Sequence, residues 1–294
     1  MKITEQQYQS LCDACDQVLQ APESTLTTTA IPWLHVIREH PVFLSKYRDL
    51  FICQNSIFAR SFIPEFRSLI SNCRQIFSSF RTGNTNWLSN KSIPMCVDVL
   101  FVTHLVNKAH ATNVNDFYFG DVPLKLSKDG YSVAIAYVNM TETNSTELVK
   151  DFPNDQLSRV MFTESLSFSE EIRIIFNGIV ERKRLRKMMK VVSDVLVKKV
   201  LSRASKEATT AGTSFSLRVG KQVASLVSKT RARSLIIIHE GHSWERIVFA
   251  SAREAQSGII VNLSAGDTVS CRNYNTNMYG GSTAYSRLSI TFLG

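Results

Sequence analysis

Two short apolar runs do most to limit the folds open to this chain. Val97-Asp98-Val99-Leu100-Phe101-Val102 and Ser234-Leu235-Ile236-Ile237-Ile238-His239 are rich in β-branched residues and bounded by polar ones. Such runs read as strands buried on both faces, which is the pattern of a parallel sheet. Each is followed by the parts of a crossover. After the first come a loop over residues 103–115, a helix over 120–129 closed by Gly130, and a strand over 131–139. After the second come a turn at Glu240-Gly241-His242, a helix over Ser243–Ala255 and a strand over 258–261. Arg159-Val160-Met161-Phe162 is a further strand candidate. Repeated βαβ units predict an α/β fold, a Rossmann-like doubly wound parallel sheet.

The sheet has a helical N-terminal region before it. Tyr8, Leu11, Cys12, Cys15, Val18 and Leu19 recur at the three-four spacing of an amphipathic helix, and Pro32 opens another that carries Trp33, Val36 and Ile37. Helices are also expected over 50–58 and over 64–80, the latter with Pro64 in its first turn. Residues 81–92 contain Gly83, three asparagines and no apolar period, so they read as a linker. Later in the chain a long helix is expected over 168–205, a polar break over 209–216 and a helix over 219–228. From Asn262 onward Ser, Thr, Asn and Gly dominate and the α/β rhythm stops, although residues 285–293 are compatible with one strand. The expected organisation is a helical region at 1–90, an α/β domain at 91–261 and an irregular tail at 262–294.

The formal charge of +9 favours anionic partners, among them phosphorylated lipids, nucleotide sugars, nucleic acid or a membrane face. The six cysteines, Cys12, Cys15, Cys53, Cys73, Cys96 and Cys271, are scattered in largely apolar surroundings and read as reduced thiols of a cytoplasmic protein. Cys12 and Cys15 make a C-x-x-C without the second pair or histidine that zinc needs. No metal and no cofactor is expected. The start of the chain has no basic region followed by an apolar stretch, and no run reaches the ~18 apolar residues of a membrane span.

In an open parallel sheet, ligands collect beyond the carboxyl ends of the strands. Two segments fall there. The first holds His104 and Asn107 and continues to Asp116-Phe117-Tyr118-Phe119-Gly120-Asp121. One of the two aspartates is expected to cap the following helix and the other to accept from a ligand hydroxyl. The second is His239-Glu240-Gly241-His242-Ser243-Trp244-Glu245-Arg246. Gly241 permits a sharp turn, Ser243 is placed to cap the helix, and Arg246 then falls at its third position. A carboxylate, imidazoles and backbone N–H groups at a helix start suit both hydroxyl and phosphate groups. Glu245 also has a purely structural reading, since the helix dipole favours a carboxylate in the first turn, and Trp244 reads as core. Neither G-x-G-x-x-G, a Walker sequence nor G-x-S-x-G occurs.

Residues 182–206 are strongly basic: Arg182, Lys183, Arg184, Arg186, Lys187, Lys190, Lys198, Lys199, Arg203 and Lys206. Leu185, Met188, Met189, Val192, Val195 and Leu196 form a stripe that reads as a core-facing side. The charge has two readings, a solvated face or attraction to an anionic inner membrane at about 1 kcal/mol per basic residue. Nucleic acid is not expected, because no recognised binding module accompanies the charge.

The segments Asp98 to Leu105, Asp116 to Asp121 and Gly130 to Val133, together with Glu240-Gly-His-Ser-Trp-Glu-Arg246 and Gly258-Ile-Ile-Val261, resemble bacterial surface-carbohydrate biosynthesis proteins of O-antigen and capsule clusters. The resemblance covers residues 95–261. It implies the first half of a GT-B-like architecture and a glycosyltransferase that moves a sugar from a nucleotide-sugar donor to a saccharide or lipid-linked acceptor. It implies catalytic roles for Glu240, His104 and Glu245. Asn107, Asp116, Asp121, Gly241, His242, Ser243 and Arg246 then become substrate-binding candidates. Members of that family continue after the equivalent of Val261 with a whole second domain, so truncation or a shifted reading frame is expected here, with the donor site lost. A cytoplasmic location, peripheral to the inner membrane, goes with this reading. A non-catalytic polysaccharide-assembly or scaffold protein of the same fold is the alternative.

Overall fold

A computed structural model describes residues 3–39, 47, 50–51, 70, 75–77, 79, 85–255, 259–263 and 287–292. The chain divides into two compact units that interleave in sequence. One comprises Met1–Phe80, Phe168–Arg218 and Gly241–Ile247; the other comprises Arg81–Ser167, Val219–Glu240 and Val248–Gly294. Residues 168–218, read from sequence as part of the α/β domain, thus pack with the N-terminal helices instead.

The α/β unit is built on one sheet. Its strands are β1 (Trp87–Ser89), β2 (Val99–Leu105), β3 (Val133–Asn139), β4 (Ser158–Phe162), β5 (Ser234–His239), β6 (Ile259–Leu263) and β7 (Arg287–Phe292). Their spatial order is β1-β4-β3-β2-β5-β7-β6. The pairs β4-β3, β3-β2 and β2-β5 are parallel, while β1 joins β4 antiparallel. This α/β architecture with a mostly parallel five-stranded body is compatible with a Rossmann-like fold. The central strands are apolar because both faces are covered: Leu100, Phe101, Val102, Ala134, Ile135, Ala136, Leu235 and Ile237 are all buried.

Several expectations from sequence need correction. β2 runs on to Leu105, past the predicted end at Val102, because β3 continues to offer partners at Thr103↔Tyr137, His104↔Val138 and Leu105↔Asn139. Two polar residues hide the continuation from an apolar-run reading. The predicted linker contains β1. The strand after β5 does not lie beside it: β7 is inserted, antiparallel to both β5 and β6. The strand expected near the C-terminus is this β7. Cys53, Cys73, Cys271 and Gly258, and most of the predicted helices at 50–58 and 64–80, lie outside the described residues.

The helical unit contains α1 (Glu5–Leu19), α2 (Leu26–Thr29) and α3 (Trp33–Glu39). Two short helices, α4 (Val122–Lys128) and α5 (Ser145–Leu148), belong to the α/β unit. Then follow α6 (Phe168–Val191), α7 (Val195–Glu207), α8 (Ala211–Thr230) and α9 (Ser243–Ala255). Thr4 and Gln7 form a capping box that starts α1. Leu11, Cys12, Cys15 and Val18 on its buried face join Ile31, Leu34, Leu185, Val197, Val200 and Leu201 in one apolar cluster. Cys12 and Cys15 are thus core thiols, and Cys96 is exposed.

The single long helix expected over 168–205 is a hairpin. Asp194 accepts from Val197 N at 2.9 Å and starts α7 as its N-cap. Gly178 permits a close approach here, since a Cβ on it would meet the Ala208 carbonyl oxygen at 2.6 Å. The polar break expected at 209–216 is also helical, from Ala211. Its hydroxyls turn back onto the backbone, with Thr213 Oγ1 donating to Glu207 O at 2.7 Å and Ser216 Oγ donating to Gly212 O at 3.1 Å. Among the described residues no helix is long and apolar enough to cross a membrane.

Candidate functional site

Chain order places the α/β site. From β2 the chain moves outward to β3 and β4, then returns to lay β5 against the other side of β2. The strand order therefore reverses between β2 and β5. In open α/β sheets this switch point opens a crevice outside the carboxyl ends of the two strands. Their register, Val102↔Ile237, brings the end of β2 alongside the end of β5.

Three side chains converge there. His104 is only 2 % exposed. Its Nε2 lies 2.7 Å from the Tyr118 hydroxyl and 3.5 Å from Glu240 Oε2. The Glu240 side chain keeps 31 % of its surface open, while the imidazole beside it is buried. A carboxylate beside an imidazole and a phenol is an arrangement able to take up a proton and hold it.

A tight loop sets Tyr118. Asp116 Oδ1 accepts from Tyr118 N at 2.9 Å and from Phe119 N at 2.8 Å. Asp116 and Gly120 exchange both backbone hydrogen bonds at 3.0 Å, and Gly120 takes a φ of +59° that suits glycine. Phe119 is anchored against Phe101, with ring centroids 4.8 Å apart. Phe117 points the other way: it is 58 % exposed and stacks on His110 at 4.2 Å and 11°. The loop therefore shows an open aromatic face close in sequence to the His104 partner.

The other candidates of this unit serve the loop more than a ligand. Asp116 is buried, and desolvation holds its carboxyl above the ordinary 3.8; hydrogen bonds from Phe119, Tyr118 and Tyr137 and the charge of Arg159 oppose that rise. Burial likewise raises Tyr137. Neither aspartate caps α4 with its side chain. Asp121 occupies the cap position without a side-chain hydrogen bond and pairs with Lys125 at 3.0 Å. Asn107 is exposed and caps a short 3-10 helix by accepting from Ala109 N at 3.0 Å.

In the helical unit, the turn at 241–247 is a structural cap. Gly241 has a φ of +88°, as its expected turn role requires. Glu245 is fully buried, and its Oε2 accepts from Gly241 N and from His242 N, each at 3.0 Å. This is the third helical residue reaching back over its own N-terminus. It corrects the catalytic expectation for Glu245, whose carboxylate is enclosed. Ser243 is the first helical residue and not the cap; it is buried and shares a hydrogen bond with Ser216 Oγ at 2.8 Å. Trp244 is buried, with His242 in a near-parallel ring arrangement at 6.4 Å. His242 and Arg246 are half-buried.

Sequence reading missed Tyr118, Phe117 and His110. The aromatic trio at 117–119 was visible, but only the loop geometry separates the anchor Phe119 from the His104 partner and the exposed ring. Among the described residues no group of three or more His, Cys, Asp or Glu side chains converges in a way that would hold a metal ion. The chain matches no protein-family model, no curated protein and no solved structure.

Proposed function

We propose that the chain acts as a GT-B-like glycosyltransferase of bacterial surface polysaccharide biosynthesis. It moves a sugar from a nucleotide-sugar to a saccharide or lipid-linked acceptor. The observation that carries the reading is the contact of Glu240 with His104 at the switch point of the sheet, with Tyr118 on the same ring nitrogen. Glycosyl transfer to a hydroxyl needs a base where the hydroxyl attacks the anomeric carbon. The carboxylate of Glu240, on a half-buried side chain, fills that role. As the new C–O bond forms and the bond to the leaving phosphate breaks, the acceptor proton passes to Glu240. His104 stands beside the carboxylate, and the Tyr118 hydroxyl holds the imidazole at the same ring nitrogen. The exposed ring of Phe117 supports the same reading, since the C–H face of a sugar packs on an aromatic face.

The test is nucleotide release from a panel of nucleotide-sugars offered with saccharide and lipid-linked acceptors. Glu240→Gln is expected to lower turnover by about 10²- to 10⁴-fold, the usual worth of a general base, with an unchanged melting curve. Turnover equal to that of the unaltered chain sinks the assignment.

A further inference from the structure

The charge of this chain is concentrated. Residues 182–206 hold ten of its 34 basic residues and one, Asp194, of its 25 acidic ones, leaving 24 of each sign elsewhere. The net charge of +9 is therefore the charge of this one segment. It forms the last turns of α6, a three-residue turn and most of α7. Lys183, Arg186, Lys187 and Lys190 are exposed at three-four spacing along α6. Arg184 pairs with Glu181 and Arg203 with Glu207, whereas those four join no ion pair among the described residues.

The apolar stripe of the same hairpin divides in two. Leu185 is buried in the core of the helical unit, and Met188, Met189, Val192 and Leu196 pack against it. Packing does not account for the two valines that flank the turn. Val191 is 86 % exposed and Val195 is 67 % exposed. A shallow groove of about 400 Å³ opens beside Val195, lined on its apolar side by Leu50, Phe51 and Leu196 and edged by Lys199.

We propose that this hairpin tip docks on an anionic lipid surface. Val191 and Val195 enter the boundary between headgroups and acyl chains, and Lys183, Arg186, Lys187 and Lys190 meet the lipid phosphates. Charge complementarity selects the partner, because the segment that carries this excess of basic residues also bares aliphatic side chains at its end. A nucleic acid would use the lysines but leave Val191 and Val195 in water. An apolar tip beside a row of cations is an arrangement that suits an interfacial membrane contact. The inference stands on the hairpin alone and does not depend on the glycosyl-transfer reading.

The full chain is sedimented with vesicles of phosphatidylcholine and with vesicles containing about one third phosphatidylglycerol, a composition set by the surface-potential argument. Retention is expected on the anionic vesicles only, and it falls steeply when salt shortens the screening length. The double substitution Lys187→Gln with Lys190→Gln lowers partitioning by about tenfold or more, without moving the thermal melt, because both side chains are exposed. Val191→Trp binds as the unaltered chain does, and its emission shifts to the blue and is quenched by lipids brominated on the acyl chain. Equal retention on the two vesicle types overturns the proposal. So does unchanged partitioning of the lysine variant, a Val191→Trp emission that stays water-like on anionic vesicles, or retention on single-stranded RNA without retention on the anionic vesicles. None of these positions touches His104, Tyr118 or Glu240, so loss of docking and loss of transfer are separate results.

Discussion

The carboxylate of Glu240 lies 3.5 Å from Nε2 of His104, although one residue follows β5 and the other sits inside β2. Their nearness depends on β5 returning to the free side of β2, and no local sequence signal requires it. The same nitrogen is 2.7 Å from the Tyr118 hydroxyl. Tyr118→Phe removes that one hydrogen bond while keeping the ring against the imidazole. With a hydrogen bond worth about 1 kcal/mol, turnover is expected to fall roughly fivefold, with saccharide affinity little changed. A titration of acceptor binding beside a turnover assay checks both parts.

Glu245 gives the opposite expectation. Its carboxylate satisfies two backbone N–H groups at the start of α9. Glu245→Ala leaves them without that acceptor in a buried setting, at a cost of about 1–3 kcal/mol, read from urea unfolding. Glu245→Gln keeps an acceptor and costs less. A variant as stable as the unaltered chain but without activity would assign Glu245 to chemistry instead.

The pH dependence of stability tests Asp116. Burial holds its native carboxyl above the ordinary 3.8, so the native state keeps the proton longer than the unfolded chain does. Stability from this group is full below the ordinary value and declines as pH rises through the raised native one. Asp116→Asn has no proton to lose and still offers an oxygen to Tyr118 N and Phe119 N. Its stability relative to the unaltered chain is expected to rise across that window and then level off, as measured by urea unfolding at stepped pH. A difference that falls with pH contradicts the assignment.

A buried ion pair fixes α6 to the first half of α8. Arg218 Nε and Nη2 donate to the two Glu171 oxygens at 2.7 and 2.9 Å, with both side chains nearly inaccessible. Arg218→Met strands a buried carboxylate and is expected to cost about 3–5 kcal/mol. Adding Glu171→Leu removes the stranded charge and recovers most of that loss. Chemical denaturation of the two variants measures the recovery.

Periodicity and apolar runs located β3, β4 and β5 and the helix after β5, but not β1 or the short helix at Ser145–Leu148. The bounds of β5 and α9, the capping role of Gly130 and the turn at Gly241 follow from residue types alone, because each is a local preference of the backbone. That polar side chains gather at the ends of β2 and β5 was legible for the same reason, since a parallel strand must end somewhere polar. Tertiary structure decided what those residues do. It extended β2 through Thr103 and His104 by giving them β3 as a partner, and it broke the long basic helix at Asp194 so that α7 folds back on α6. It enclosed Glu245 while leaving Glu240 open, and it chose Tyr118 over its aromatic neighbours. Each of these outcomes depends on which distant backbone or side chain supplies a missing contact, and that information is held in the packing, not in the order of residues along any one segment.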